Sequence, residues 1–305
     1  MCALDLGLSI RRARAWVRDE KLLRKKRRRL LEADAIVLSM AKSGRTWLNA
    51  MLSHYYHLTE GAPPDQLLNA DNFKRLGLHI PSVFFSHGRE IQGRPQLEAR
   101  IRGKPLLFLH RDPRDVVVSI YFQRVPRKHS MGQDTITLGQ EMPTQLTADL
   151  LFEPLWLPYI VRFMNEWRER IRDFDRALVL RYEDMRVDSR GALSRVLGFI
   201  DNRPLSADAV QRAVEFASLE NLRRLEQSGH FSGSRLGGGR PGDESTWKVR
   251  RGKIGGFADY FTPAEIARID RYVAENLHPG FGYAGPSRKR QDGDLPGESR
   301  GVVGD

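Results

Sequence analysis

Two short apolar runs, each followed at once by a cationic turn and a helix-like stretch, constrain the fold of this 305-residue chain more than any other feature. Residues 35–38 lead into Lys42, and residues 105–110 lead into Arg111. Runs of this kind are typical of strands that are buried on both faces of a parallel sheet. The sequence therefore predicts an α/β fold in which both turns lie at the carboxyl edge of one sheet, where such folds bind ligands.

The first turn carries a cation, a hydroxyl and a glycine in the order Lys42, Ser43 and Gly44. A strand, a tight turn and a helix N-terminus direct backbone N–H groups and the positive end of the helix dipole at one point, so the turn is predicted to bind an oxyanion. In the usual phosphate loop of ATPases and GTPases the lysine follows a second glycine, whereas here it precedes the Ser-Gly pair. The alternative interpretation is a plain strand-to-helix turn with a surface lysine.

The second turn is built on the same plan. Pro113 suits the first turn of a helix that carries Ser119, and a guanidinium such as that of Arg111 matches the geometry of a phosphate monoester. With the basic residues 250–252, the chain has three anion-binding places, which indicates a nucleotide with phosphates at both ends of its ribose. The alternative is a local salt bridge between Arg111 and Asp115, with no ligand role for Ser119.

Four motifs together resemble the cytosolic-type sulfotransferase family. Residues 42–47 resemble its phosphosulfate loop, usually Lys-Ser-Gly-Thr-Thr-Trp, and residues 111–119 resemble its 3′-phosphate motif, an Arg followed eight positions later by Ser. Residues 181–185 resemble its Tyr-Glu-Asp-Met, and residues 250–257 resemble its Arg-Lys-Gly-x-x-Gly-Asp-Trp. The motifs occur in the family order and span most of the chain. A short catalytic unit without a membrane anchor resembles the bacterial or cytosolic members of the family.

The resemblance implies a donor, a reaction and a set of site residues. The donor is 3′-phosphoadenosine 5′-phosphosulfate (PAPS), the product 3′-phosphoadenosine 5′-phosphate (PAP), and the sulfuryl group passes without a metal to a hydroxyl or amine of a small-molecule or glycan acceptor. The implied catalytic residues are Lys42, which neutralises charge on the leaving oxygen, His87, the base, and Ser119. The residues implied to bind the donor are Lys42, Ser43, Gly44, Arg45, Thr46, Trp47, Arg111, Ser119, Tyr182, Arg250, Arg251 and Gly252.

The chain departs from the family pattern at several of these places. Arg45 replaces the usual Thr of the phosphosulfate loop, and Gly-Arg follows His87 where the family has Leu-Pro. Residues 256–257 are Gly-Phe in place of Asp-Trp, and Leu219 lies where an aromatic residue near the adenine is common. His110, at the end of another apolar run, is the weaker alternative to His87 as the base.

The remaining pattern predicts a three-layer α/β/α architecture around a central parallel sheet, which the resemblance identifies with the P-loop-NTPase-like sulfotransferase fold. The predicted elements are strands at 35–40, 82–86, 105–110 and 177–182 and helices at 153–173, 189–200, 206–225 and 263–277. The predicted domains are a basic extension over 1–34, a sulfotransferase domain over 35–284 and a disordered tail over 285–305. A donor-dependent lid is predicted over 228–245, and an acceptor pocket over 124–150.

Charge and cysteine content limit the other functions. The formal net charge is +12, and residues 1–34 hold eleven Lys or Arg against five Asp or Glu, about half of that excess. Residues 11–29 are expected to form a solvated extension, with contact to an anionic membrane or another polyanion as the alternative. No specific nucleic acid is expected as a partner. Cys2 is the sole cysteine, so no intrachain disulfide can form, and no apolar stretch reaches the length of a membrane span. For these reasons a cytoplasmic protein is expected.

Two other functions remain open from the sequence. A nucleotide or small-molecule kinase would use similar phosphate loops, although the order of Lys42 and Gly44 speaks against it. A non-catalytic polyanion-binding protein would need only the basic N-terminal segment. His54 and His57 are three residues apart on a predicted helix, but without further ligands they do not indicate a metal site.

Overall fold

The computed structural model of the chain describes residues 20–127, 145–231 and 251–285. Within these ranges four strands form one parallel sheet in the order β2-β1-β3-β4. The strands are β1 (Ala35–Ser39), β2 (Val83–Ser86), β3 (Leu106–His110) and β4 (Ala177–Arg181). All four predicted strands are therefore confirmed to within about one residue at either end.

Helices in the described ranges cover the sheet and shape its carboxyl edge. They are α1 (20–32), α2 (Arg45–Glu60), α3 (Pro95–Ala99), α4 (Pro113–Arg127), α5 (Ala148–Phe152), α6 (Leu157–Arg170), α7 (Tyr182–Val187), α8 (Ser189–Ile200), α9 (Ala207–Phe216), α10 (Leu219–Gln227) and α11 (Pro263–Asn276). None of the helices in this part of the chain combines the length and apolarity that crossing a bilayer requires.

The two faces of the sheet support separate hydrophobic clusters. Along β1, Ile36 and Leu38 belong to one cluster and Val37 to the other, as the period-two alternation of a strand requires. The first cluster includes residues of α1, α4, α6 and α11, and the second includes residues of α2, α8, α9 and α10. Since helices cover both faces, the predicted three-layer α/β/α architecture is confirmed.

Two predicted helices have different bounds in the structure. The predicted helix over 206–225 is divided into α9 and α10, because the Ser218 hydroxyl accepts a hydrogen bond from the Asn221 N–H and caps a new helix there. The predicted helix over 153–173 begins instead at Leu157, with Pro158 in its first turn, and ends in a short 3₁₀ turn over Ile171–Asp173.

The parallel register brings the chemically interesting residues to one edge. Leu38 is paired with Ser86 across β1 and β2, and His110 is paired with Arg181 across β3 and β4. All four strands therefore end at the same level. The turns that follow them carry Lys42, His87, Arg111 and Tyr182, so the two cationic turns that the sequence predicted for this edge do lie there.

Candidate active site

The turn between β1 and α2 has an unusual backbone that opens the helix N-terminus. Lys42 has φ 69°, the one positive φ at a non-glycine residue in the described ranges, and Gly44 has φ 91°. Gly44 is the N-cap of α2 without any side-chain cap, so the first N–H groups of the helix face the turn. A Cβ at Gly44 would lie 2.5 Å from Cδ2 of Tyr182, and only glycine permits this approach.

Most of the predicted site residues line one cavity of about 270 Å³. Those that line it are Lys42, Gly44, Arg45, Thr46, Trp47, His87, Arg111, Ser119, Tyr182, Arg251 and Gly252. Ser43 does not line it: its side chain is buried, and Oγ has no hydrogen-bond partner in the described ranges. Arg250 lies outside the described residues.

Arg111 is held in place by four groups at the β3 end of the cavity. Its Nη2 donates to the Asp115 carboxylate at 3.2 Å and to the Lys253 carbonyl at 3.0 Å, and its guanidinium carbon lies 4.3 Å from the ring centroid of Tyr182. Nη1 lies 3.4 Å from the Lys42 carbonyl. Although burial disfavours its charge, the adjacent Asp115 carboxylate raises the pKa of Arg111 above its ordinary value.

Asp115 also fixes the segment that follows the third basic motif. Its two carboxylate oxygens accept from the Gly255 N–H at 2.9 Å and the Phe257 N–H at 3.0 Å. Burial raises the pKa of Asp115, and Arg111 and these N–H donors oppose that rise. The salt bridge considered as a local alternative is present, and the same Asp115 carboxylate also binds the distant segment that contains Gly255 and Phe257.

An aromatic and apolar wall lies on the α2 and α10 side of the cavity. The Trp47 and Tyr182 rings meet edge to face at 5.8 Å between centroids, and Trp47 Nε1 donates to the Ala217 carbonyl at 2.8 Å. Tyr182 Oη donates to the Gly252 carbonyl at 3.2 Å. Leu219 takes the place of the expected aromatic residue, and a Cβ at Gly252 would lie 3.2 Å from its Cδ1.

His87 is oriented by a backbone carbonyl and by an arginine. Its Nδ1 lies 2.8 Å from the Ser39 carbonyl oxygen, and its Nε2 lies 2.7 Å from Nη2 of Arg45. A carbonyl can only accept, so Nδ1 carries the proton, and the Nε2 lone pair then accepts from Arg45. This assignment leaves a neutral imidazole with its basic nitrogen beside a guanidinium.

Arg251 lines the cavity but is already paired. Its Nη2 donates to Asp259 at 2.6 Å and its Nη1 to the Tyr260 hydroxyl at 3.3 Å, and Lys253 shares the same carboxylate at 3.1 Å. A phosphate in the cavity would therefore compete with Asp259 for Arg251.

His110 lies in a buried network below the cavity and does not line it. The Tyr283 hydroxyl lies 3.1 Å from its Nδ1 and donates to Glu183 at 2.6 Å, and Glu183 in turn accepts from the Asp112 N–H at 3.0 Å. Burial, aided by Arg181, lowers the pKa of His110 to about 3.

Several cavity-lining residues were absent from the sequence-derived site set, among them three with long polar side chains. Arg186, Gln123 and Lys253 all line the cavity. The first two follow Tyr182 and Ser119 by four positions on α7 and α4, so helical spacing alone would have placed them on the same faces. Lys253 has no such signal, because its position depends on how the segment after residue 250 folds back against Asp115.

A family model and several relatives match this chain. The model described as "Sulfotransferase domain" matches residues 105–280, which is more than half of the chain. This match begins just before β3, so it includes Arg111, Ser119, Tyr182 and Arg251 but neither Lys42 nor His87.

The curated relatives are distant but extensive in coverage. Cytosolic sulfotransferase 10 of Arabidopsis thaliana is 24% identical over 277 residues, covering 81% of this chain and 78% of the relative. Flavonol 3-sulfotransferase of Flaveria bidentis is 25% identical, covering 80% and 81%. Sulfotransferase 2A2 of Mus musculus is 22% identical, covering 81% and 85%.

Solved structures share the fold. A mouse sulfotransferase complexed with PAP has a TM-score of 0.53 and 16% identity, covering 83% of this chain and 86% of that chain. Retinol dehydratase in complex with androsterone and inactive cofactor PAP has a TM-score of 0.56 and 18% identity, covering 86% and 82%.

Proposed function

This chain belongs to the sulfotransferase family and is a PAPS-dependent sulfotransferase, and from that premise we propose which of its residues hold the donor and carry out the transfer. The acceptor is a hydroxyl or amine of a small molecule or carbohydrate. One observation carries the assignment: Lys42, Arg111 and the Arg251-Gly252 pair come from distant parts of the chain and line one cavity.

The hydrogen-bond donors and cations that line the cavity fit PAPS. The open N-terminus of α2 and Lys42 suit the 5′-phosphosulfate, because N–H groups and a cation there favour an oxyanion. Arg111 and Ser119 suit the 3′-phosphate, and Nε of Arg111 is a buried donor with no hydrogen-bond partner in the described ranges. The close approaches at Gly44 and Gly252 shape a narrow slot beside Trp47 and Tyr182 for the adenine.

The reaction needs alignment and charge neutralisation more than covalent chemistry. PAPS supplies the sulfuryl group, which passes in line to the acceptor. Lys42 stabilises the charge on the leaving phosphate oxygen, and His87 Nε2 takes the acceptor proton. Arg45, which lies 2.7 Å from Nε2, would then have to leave it, and its guanidinium would be a donor for the sulfuryl oxygens instead.

Calorimetric titration with PAP is the direct test. We expect wild-type protein to bind PAP and Arg111→Gln to bind it at least tenfold more weakly, since a charged hydrogen-bonded partner is lost. Arg190→Gln, a change at an exposed arginine on α8, is the matched control and should bind as wild type. No binding by the wild-type protein, or Mg²⁺-dependent ATP turnover in its place, would favour a kinase.

Transfer of labelled sulfate from PAPS to a panel of phenols, alcohols, amines and sugars then identifies the acceptor. With that acceptor, His87→Ala should lower kcat by about 10²- to 10⁴-fold, the range for loss of a general base. A loss below about tenfold would contradict the base assignment. Four further expectations stay predictions. They are the domain boundaries at 34 and 285, a cytoplasmic location, an absence of metal and a polyanion contact through residues 11–29.

A further inference from the structure

The basic helix α1 packs against the turn that carries His87. We propose that Lys26 and Arg27 of this helix, acting through Glu90 and Ser86, position the His87 ring for catalysis. The helix would then be part of the active site's support, instead of a solvated extension. This inference rests on the proposed role of His87 as the base.

The turn after β2 is held by the Ser86 hydroxyl. Ser86 Oγ accepts from the Gly88 N–H at 2.8 Å and donates to Oε2 of Glu90 at 2.6 Å. Gly88 has φ 84°, and a Cβ there would lie 3.2 Å from Nε1 of Trp167. Because Ser86 and Gly88 are both fixed, the backbone of His87 between them has little freedom.

Glu90 connects this turn to α1. It is only 4% exposed, and a buried carboxylate requires partners. Those partners are Ser86 Oγ on one side and Lys26 Nζ, 3.8 Å away, on the other. The Glu90 carbonyl oxygen also accepts from Arg27 Nε at 3.3 Å. Both the side chain and the backbone of Glu90 therefore contact the helix.

Helix α1 is itself fixed on the protein body. Leu30 is fully buried in the cluster beneath the sheet, and Arg29 lies 3.8 Å from Asp71. Arg27 Nη1 donates to Glu20 at 2.8 Å, and this hydrogen bond lowers the pKa of Glu20 below its ordinary value. The Arg27 guanidinium is therefore held by Glu20 as well as by Glu90, so it is a fixed donor for the Glu90 carbonyl.

The position of the ring decides whether His87 can work as a base. Its Nδ1 has to keep the Ser39 carbonyl as partner, since that contact selects the tautomer with a basic Nε2. A displacement of about 1 Å can cost about a hundredfold in rate. Glu90 and Arg27 touch neither the cavity nor the donor site, so they are positioning residues.

Nuclear magnetic resonance of the imidazole ring nitrogens tests this without an acceptor. We expect wild-type His87, assigned by comparison with His87→Gln, to show a protonated Nδ1 and an unprotonated Nε2. Ser86→Ala and Glu90→Gln should move both signals toward the average of the two tautomers, and Arg27→Gln should do so to a smaller extent. Lys25→Gln, at an exposed position of the same helix, should change nothing.

The inference is overturned if Ser86→Ala and Glu90→Gln keep the wild-type pair of signals, or if Arg27→Gln cannot be told from Lys25→Gln. Thermal melts show which variants are folded, and Ser86→Thr should restore the wild-type spectrum because it returns the hydroxyl. Failure of wild-type protein to bind PAP would instead count against the proposed function, so the two outcomes are distinguishable.

A double-mutant cycle with the acceptor from the screen gives the kinetic test. Glu90→Gln should lower kcat about tenfold while PAP affinity stays within about twofold. In the His87→Ala background the same substitution should change the remaining rate by less than about twofold, since its effect passes through His87. An equal loss in both backgrounds would place the effect of Glu90 elsewhere and contradict the inference.

Discussion

At the end of the cavity formed by β3 and β4, the guanidinium of the main cation is held by several protein groups, whereas at the end formed by β1 and β2 the main cation lies on a strained backbone. Arg111 contacts Asp115, Lys253 and Tyr182. At the other end Lys42 has φ 69°, in the left-handed region that non-glycine residues rarely adopt.

The difference suggests a division of work between the two ends. A preorganised cation binds its ligand at little cost in ordering, so substitutions at the Arg111 end should change affinity. A strained backbone is typical of reaction sites, so substitutions at the Lys42 end should change the rate. The predictions below test this division.

The largest effect should be discrimination for the 3′-phosphate. Wild-type protein should bind PAP up to about 10⁴-fold more tightly than adenosine 5′-phosphate, because a site built for a charged group is left unpaired without it. Competition calorimetry with the two nucleotides measures this ratio. Arg111→Gln should reduce the ratio sharply, whereas Lys42→Ala should leave most of it. Equal affinity of the wild-type protein for both nucleotides would remove any binding role from the Arg111 end.

The next effect should be on turnover at the opposite end. Lys42→Ala should lower kcat by about 10²- to 10³-fold, the scale for losing one preorganised electrostatic partner, with a smaller change in PAP affinity. Lys42→Gly is the matched control, because glycine accepts the positive φ and removes the same amine. If the glycine variant regained the wild-type rate, backbone strain would be responsible and the charge assignment would be wrong.

A smaller effect should come from Gly44→Ala. The new Cβ would meet Tyr182 at 2.5 Å, so the turn or the ring must shift, and PAP affinity should fall about tenfold. Gly61→Ala is the matched control, since Gly61 has φ 71° and no atom within 4 Å of the added Cβ. It should lose about 1 kcal/mol of stability and no affinity. Similar calorimetric results for both variants would mean that conformational strain alone matters.

The sheet and the positions just after its strands could be predicted from the sequence. Apolar runs predicted β1 to β4, although β4 is largely exposed in the structure. In a parallel sheet the residues that follow the strands share an edge, which is why Lys42 and Arg111 could be placed together. The resemblance added His87 and the Arg251 segment.

Contacts between distant segments could not be predicted in this way. The pairing of Arg45 with His87 depends on β1 lying beside β2, and the need for glycine at position 44 comes from Tyr182 on another strand end. Helix α1 has a sequence dominated by charge, and only the packing of Leu30 and the partners of Glu90 reveal where it lies.

The last prediction concerns the stability of the network that contains His110, and it leaves affinity and rate at the two ends untouched. The pKa of His110 is about 3 in the folded state and near 6.5 when unfolded, so the unfolded chain binds the extra proton first as pH falls. Stability is therefore complete above pH ~6.5 and falls below it, toward pH 3, by at most about 1.4 kcal/mol per pH unit. Urea unfolding between pH 7 and 4 should show a shallower decline for His110→Gln than for wild type or for His79→Gln, a change at an exposed histidine. An unchanged slope in His110→Gln would mean that burial of a neutral His110 does not cause the loss of stability at low pH.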